Sequence, residues 1–248
     1  MPDQLTFRLD TDLLPDLPDL RPMEPRLLPE PFDSDDHLFE PWWGGVRAFA
    51  YIGPAMAPGD GAVRVVDALG VDLSAALPEL AGMAVRVAAR SAILDGELVV
   101  VDGTGRADPR ELERRLAGEL GHPAAFLAFD LLHLDGRSLL SQPLIKRREA
   151  LRRILRPGDE VVAVPAIATE GKALFAAVAA QGVAGVLARQ RMSPYFPGIR
   201  SRLWRFIPAA AVPGGGPVDD GGEPLPPPTV ATAPVLALIS RLPLDDES

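Results

Sequence analysis

The 248-residue sequence contains no cysteine, which excludes disulfides, thiolate catalysis and cysteine-ligated zinc or iron–sulfur sites and fits a reducing cytoplasm. Lysine is nearly as scarce. Lys146 and Lys172 are the only two, so chemistry that needs a primary amine has two side chains to draw on. The histidines, His37, His122 and His133, are too scattered for metal-ligand spacing. No apolar run has the length of a signal peptide or a membrane span, so the expectation is a soluble cytoplasmic protein without membrane contact. Positive charge is in deficit, with 25 Lys and Arg against 34 Asp and Glu and a net charge of −9. Because DNA affinity comes largely from neutralising phosphates, this balance argues against tight, autonomous DNA binding.

The sequence does contain the material for a packed body: 47% of residues are hydrophobic, and the length suffices for one large domain. Residues 1–36 alternate Asp, Pro and Leu, as in Leu13-Leu14-Pro15-Asp16-Leu17-Pro18-Asp19-Leu20, with prolines too frequent for a helix interior or a central strand. They are read as an acidic, extended arm, a mobile tail rather than a segment seated in a groove. Residues 37–208 form the body. Its short apolar runs, Val46–Ile52, Ala62–Val66, Ile93–Val101, Ala125–Leu132, Val161–Val164 and Gly185–Ala188, read as strands. Pro109–Leu120, Ile145–Leu155 and Lys172–Gln181 read as helices, the second with Arg147, Arg148, Arg152 and Arg153 on its polar side. The hairpin signal Val101-Asp102-Gly103-Thr104-Gly105 favours antiparallel pairing, so the fold class is α+β, with mixed, mainly antiparallel sheets and flanking helices. Residues 209–248 are a Pro/Gly-rich tail in which no second domain fits.

Leu94-Asp95-Gly96-Glu97-Leu98 is followed in order by Phe129-Asp130-Leu131, Pro143-Leu144-Ile145-Lys146-Arg147-Arg148, Gly182-Val183-Ala184-Gly185-Val186, Ser193-Pro194-Tyr195-Phe196-Pro197-Gly198 and Arg200-Ser201-Arg202-Leu203-Trp204. That order and spacing, from about His37 to Pro208, resemble the adenylation (nucleotidyltransferase) domain of ATP-dependent DNA ligases of the bacterial end-joining type. The resemblance implies an ATP-grasp-like nucleotidyltransferase fold, ATP and Mg2+ as the family's cofactors, and DNA or a DNA-repair protein as partner. The oligonucleotide-binding-fold domain that follows in ligases has no counterpart after Pro208.

The family's first motif, E-P-K-x-D-G-x-R, corresponds to Glu40-Pro41-Trp42-Trp43-Gly44-Gly45-Val46-Arg47. In the family the lysine amine attacks the α-phosphate of ATP. Here Trp42 occupies that position, and an indole N–H is a donor without a usable lone pair. Other motif positions have changed too. Ala184-Gly185 replaces E-G and removes a carboxylate that helps hold metal, while Trp204-Arg205-Phe206-Ile207-Pro208 replaces W-x-K-x-K and removes phosphate-neutralising lysines. The expectation is therefore no catalytic residue, and cofactor binding that is weak or lost.

By the same resemblance, Glu40 lies near the adenine, Arg47 closes the first motif, Glu97 contacts ribose or metal, and Phe129 stacks on the base. These are the candidate residual nucleotide contacts, against the plainer reading that they are strand core and satisfied carboxylates. Trp42 and Trp43 are read as a plug in the cleft in preference to a stacking platform for single-stranded nucleic acid. Arg189, Arg191, Arg200, Arg202 and Arg205 form a candidate DNA-contact strip, against the reading of a solvated loop. The functional expectation is a degenerate ligase-like adenylation domain kept as a binding or scaffold protein in DNA repair. The alternatives are a working ligase or nucleotidyltransferase, and an interaction module that acts through its ends.

Overall fold

The computed structural model describes residues 17–53, 63–103 and 106–209. The first part of the expected arm, Thr104 and Gly105 of the expected hairpin, and the tail beyond Ala209 lie outside the described residues. Along the described chain run β1 (Glu24–Leu27), β2 (Ser34–Trp42), β3 (Val46–Ile52), β4 (Val63–Asp67), α1 (Met83–Arg86), β5 (Ala92–Val100), α2 (Pro109–Leu116), β6 (Ala124–Leu134), β7 (Arg137–Ser138), α3 (Leu144–Ile154), β8 (Val161–Ala163), β9 (Ile167–Thr169), α4 (Gly171–Ala180), β10 (Gly185–Gln190) and β11 (Arg200–Pro208).

Local chemistry accounts for the helix ends. Asp108 caps α2 by accepting from the backbone N–H groups of Arg110 and Glu111, each at 3.0 Å, with Pro109 in the first turn. The helix stops at Leu116, short of the expected Leu120, because Gly118 adopts φ +88° and turns the chain away. Gly182, at φ +69°, follows α4 in the same way.

The strands form two sheets. One has the order β1-β11-β10-β2-β9, parallel between β1 and β11 and antiparallel elsewhere; the other runs β4-β3-β5-β6-β7, with β8 parallel to β6. The fold class is thus α+β with mainly antiparallel sheets. Alternation along the strands gives each sheet two faces. On the first sheet Phe39, Val186, Ala188 and Ile207 pack with Leu174 and Val178 of α4. In the second sheet Leu94, Leu98 and Val100 join Phe126, Leu131 and Leu151 in a separate core. The other face of β5 carries Asp95 and Glu97, both buried. No helix among the described residues is long and apolar enough to cross a membrane.

The segments missed in the sequence reading are β1, β2, β7, β9, β11 and α1; charged residues and prolines break the apolar signal of β1, β2 and β11, and β7, β9 and α1 are only two, three and four residues long. Pro41 sits in β2 past Phe39, the last residue paired with β9, so at that point β2 has a neighbour on one side only and a missing N–H is tolerated. The described part of the arm differs from the expected mobile tail. Met23 is completely buried, its N–H donates to the Tyr195 hydroxyl at 2.9 Å, and the Leu20 N–H donates to the Tyr51 hydroxyl at 3.2 Å. Frequent proline prevents helix and central strand, but it leaves a four-residue edge strand and apolar anchors available. Met23→Ala should therefore lower stability by about 2–4 kcal/mol, as for other fully buried methionines, in urea denaturation of the whole chain; a detached arm would show no change.

Candidate functional site

The site lies where the two sheets face each other, and it is built around the turn that joins them. Antiparallel register places Trp42 of β2 opposite Gly185 of β10, Glu40 opposite Leu187, and Arg189 opposite Trp204 of β11. With period-two alternation, Glu40, Trp42, Arg189 and Trp204 share one face. Gly185 has no side chain to compete with the Trp42 indole, and a Cβ there would collide with the Ile207 carbonyl oxygen and lie 2.9 Å from the Phe206 ring.

After Trp42 the chain turns through Trp43-Gly44-Gly45 into β3. Gly44 has φ +81°, and a Cβ on Gly45 would overlap the Leu98 carbonyl, so this turn needs both glycines. Glu97 holds it from β5, accepting from Trp43 N at 3.2 Å and from Gly45 N. Burial pushes the Glu97 carboxyl up, those backbone N–H groups pull it down, and it settles at about 7.

A β-bulge sets the far wall. In the pairing of β5 with β6, Asp95 faces Asp130 and Gly96 faces Ala128, so Phe129 is an extra residue. The insertion re-aims the alternation, and Asp130 comes to face Asp95 across the ladder. Like charges directly opposite are destabilising, and both are completely buried, so each needs a cation. Arg47 grips Asp95 through two nitrogens at 2.6 Å, and the Tyr195 hydroxyl donates to Asp95 Oδ2 at 2.8 Å. Arg147 binds Asp130 in a two-pronged pair at 2.8 Å, and Arg189 Nη1 adds a third contact at 3.0 Å. Burial raises the Asp130 carboxyl, but Arg147 and Arg189 outweigh it and hold the group below the usual carboxylate range.

Glu40 is engaged in the same network. Its Oε1 accepts from Arg189 Nη2 at 2.7 Å and from Arg148 Nη1, and both guanidinium groups also donate to the Phe129 carbonyl, at 2.7 and 2.9 Å. Arg148 further donates to the Val164 carbonyl at 2.5 Å. The guanidinium carbons of Arg47 and Arg189 lie 4.5 and 5.1 Å from the Phe129 ring centroid, within cation–π range. Trp42 packs beside Phe129 at 6.0 Å and Phe206 at 6.3 Å, and Trp43 is 4% exposed in the core shared with Val99 and Leu127.

Of the expected nucleotide contacts, the fold brings Glu40, Arg47, Glu97 and Phe129 together with Trp42, and each of the first four is already held by protein groups. The expected DNA strip does not hold together. Arg189 is completely buried between Glu40 and Asp130. Its position on a central strand facing two carboxylates removes it from the surface. Arg191 donates to the Asp35 carbonyl at 3.2 Å, and Arg200 pairs with Glu24 through Nε at 3.0 Å. Arg202 is exposed and Arg205 half-buried. Arg147 and Arg148, expected on the polar side of α3, are instead its buried face. Sequence reasoning assigned no site role to Asp95, Asp130, Arg147, Arg148 or Tyr195, although all stand in the motifs that carry the resemblance. Among the described residues no group of His, Asp or Glu side chains is placed to hold a metal ion.

The chain matches the family model for the ATP dependent DNA ligase domain over residues 30–206. It is 34% identical over 167 residues to the multifunctional non-homologous end joining DNA repair protein LigD of Mycobacterium tuberculosis, covering 67% of this chain and 21% of that protein. To DNA ligase C1 of Mycolicibacterium smegmatis it is 32% identical over 212 residues, covering 76% and 57%. The solved structure of mycobacterial DNA ligase D complexed with ATP and MES superposes with a TM-score of 0.63 at 29% identity, over 76% of this chain and 60% of that one. The chain thus spans less than two thirds of each of these relatives.

Two outcomes follow from the buried charges. Arg189→Leu leaves Glu40 and Asp130 each short of a partner and should cost about 3–5 kcal/mol in urea denaturation, the usual penalty for breaking a buried ion network from one side. Glu97 has a folded value of about 7 against an ordinary 4.5, so over that window the native state binds more protons than the unfolded chain. Its contribution is fully present below pH 4.5 and is lost as pH rises through 7. Unfolding free energies measured across this window should fall with pH in the parent, and the fall should be shallower in Glu97→Gln.

Proposed function

The chain belongs to the family of ATP-dependent DNA ligase domains, and we propose that it is a degenerate adenylation domain that does not form the lysyl-adenylate and serves as a cytoplasmic binding or scaffold protein in DNA repair. The observation that carries this reading is Trp42, an indole at the position where the family motif has its nucleophilic lysine, packed against Phe129 and Phe206. Neither lysine of the chain is placed to substitute. Lys172 pairs with Asp33, just before β2, at 3.8 Å, whereas Trp42 ends that nine-residue strand; at about 3.3 Å per residue the two ends are on the order of 25 Å apart. Lys146 is on the solvent side of α3, 62% exposed and paired with Glu149.

The side chains present do not fit ATP and Mg2+ in the family manner. Glu97 spends its oxygens on the Trp43 and Gly45 backbone, Phe129 is covered by Arg47, Arg189 and Trp42, and Ala184 carries no carboxylate. No nucleotide-dependent step is therefore assigned to this chain. Phosphoryl transfer works through positioned cations and a positioned nucleophile, and here the cations neutralise internal carboxylates. Placement in repair rests on relatives named as end-joining and ligase proteins, and cytoplasmic placement on the absence of cysteine.

Incubation of the purified chain with α-labelled ATP and magnesium, followed by denaturing electrophoresis and intact mass, should show no covalent AMP, beside an active ligase that labels. A stoichiometric adenylate, or sealing of a nicked duplex, would overturn the proposal in favour of a working ligase. Trp42→Lys is expected to remain unlabelled, since Glu40 and Phe129 stay covered.

A further inference from the structure

Helix α3 divides its charges between two faces. Arg147 and Arg148 point inward to Asp130 and Glu40, while Lys146, Arg152 and Arg153 are exposed, with Arg156 exposed just beyond the helix. Glu149 is the single acid in the helix, and its pair with Lys146 at 3.0 Å is solvent-exposed on both sides, so it contributes little and exchanges readily. Arg152 and Arg153 also act on the Glu149 carboxylate, with Lys146 the stronger influence, so three cations surround that one acid. In a chain of net charge −9, this exposed face carries a local excess of positive charge.

The same face borders a hollow of about 310 Å³. Half-buried Leu139 and buried Ala150 contribute apolar surface to it, Gln142 an amide, Lys146 and Arg153 cations and Glu149 the one acid, paired with Lys146, while Arg147 is turned inward to Asp130. Residues 146, 149 and 153 recur at helical spacing and form a line along α3, with Gln142 just ahead of the helix.

We propose that this face of α3 is a docking surface for an acidic linear segment of a partner protein that carries an apolar side chain among its carboxylates. The carboxylates meet Lys146 and Arg153, the apolar side chain enters against Leu139 and Ala150, and Gln142 hydrogen-bonds the segment's backbone. Charge complementarity selects the sign of the partner. The apolar patch selects peptide over a nucleic-acid backbone, which has no apolar group to place there. The proposal rests on the scaffold reading for its purpose, yet it is tested without reference to adenylation, so either can fail alone.

Fluorescence anisotropy of the full chain with a short fluorescein-labelled peptide of alternating Asp, Glu and Leu reads the binding. Saturable binding is expected, weakening as salt is raised. The Lys146→Glu/Arg153→Glu double variant should lose about tenfold or more in affinity, with circular dichroism confirming that it folds, since both side chains are exposed. A peptide with Ser in place of each Leu should lose a similar factor. Absence of saturable binding, equal binding by the double variant, equal binding of the leucine-free peptide, or tighter binding of labelled duplex DNA would each overturn the proposal.

Discussion

Arg189 extends from β10 to Asp130 on β6 and to Glu40 on the neighbouring strand β2, and so ties the two sheets together at a point closed to water. Removing three guanidinium groups and two carboxylates from solvent carries a large desolvation penalty, which only dense pairing offsets. The pairing is correspondingly dense. Arg147 adds the Gln142 and Ser193 carbonyls to Asp130, and Arg148 adds the carbonyls of Phe129 and Val164. These contacts tie α3, the segment after β8 and the Ser193 turn to the two carboxylates, while Glu40 Oε2 and Arg189 Nε are buried without a partner among the described residues.

That network also determines what the cleft can do. A nucleotidyltransferase fold presents cations and carboxylates to a nucleotide. Here Arg47 pairs with Asp95, Arg147 and Arg189 with Asp130, and Arg148 and Arg189 with Glu40, while Trp42 lies beside Phe129 and Phe206. Gly185 stands opposite Trp42 in the register of β10 with β2, where a Cβ would meet the Ile207 carbonyl and the Phe206 ring. The loss of the amine and the internal use of the charges are separate observations that point the same way.

Much of the body was legible in the sequence because its signal is local. Apolar runs such as Ile93–Val101 identify a strand by period and bulk, and Asp108-Pro109 or Gly182 mark helix ends by backbone preference. Of the strands that escaped, β2 mixes exposed Asp35 and Asp36 with buried Glu40, and the apolar signal of β11 is broken by Arg200, Arg202 and Arg205. Charged side chains that will be buried against partners from other elements look in sequence like solvent-facing ones. For the same reason Arg189 was grouped with exposed arginines and Arg147 with a polar helix face. The arm was misjudged differently: proline content speaks against regular structure but not against attachment through Met23 and two tyrosine hydroxyls.

The sequence alone determined the family, through ordered motifs, and the lack of an amine at position 42, which is a matter of composition at one position and needs no coordinates. Only the tertiary structure decided where the remaining charges go. One extra residue in β6, Phe129, turns Asp130 toward Asp95 and thereby dictates which arginines must be buried. A bulge leaves no mark in residue type, because it is a property of how two distant strands align, and the electrostatic demand it creates is met by side chains up to 149 positions apart.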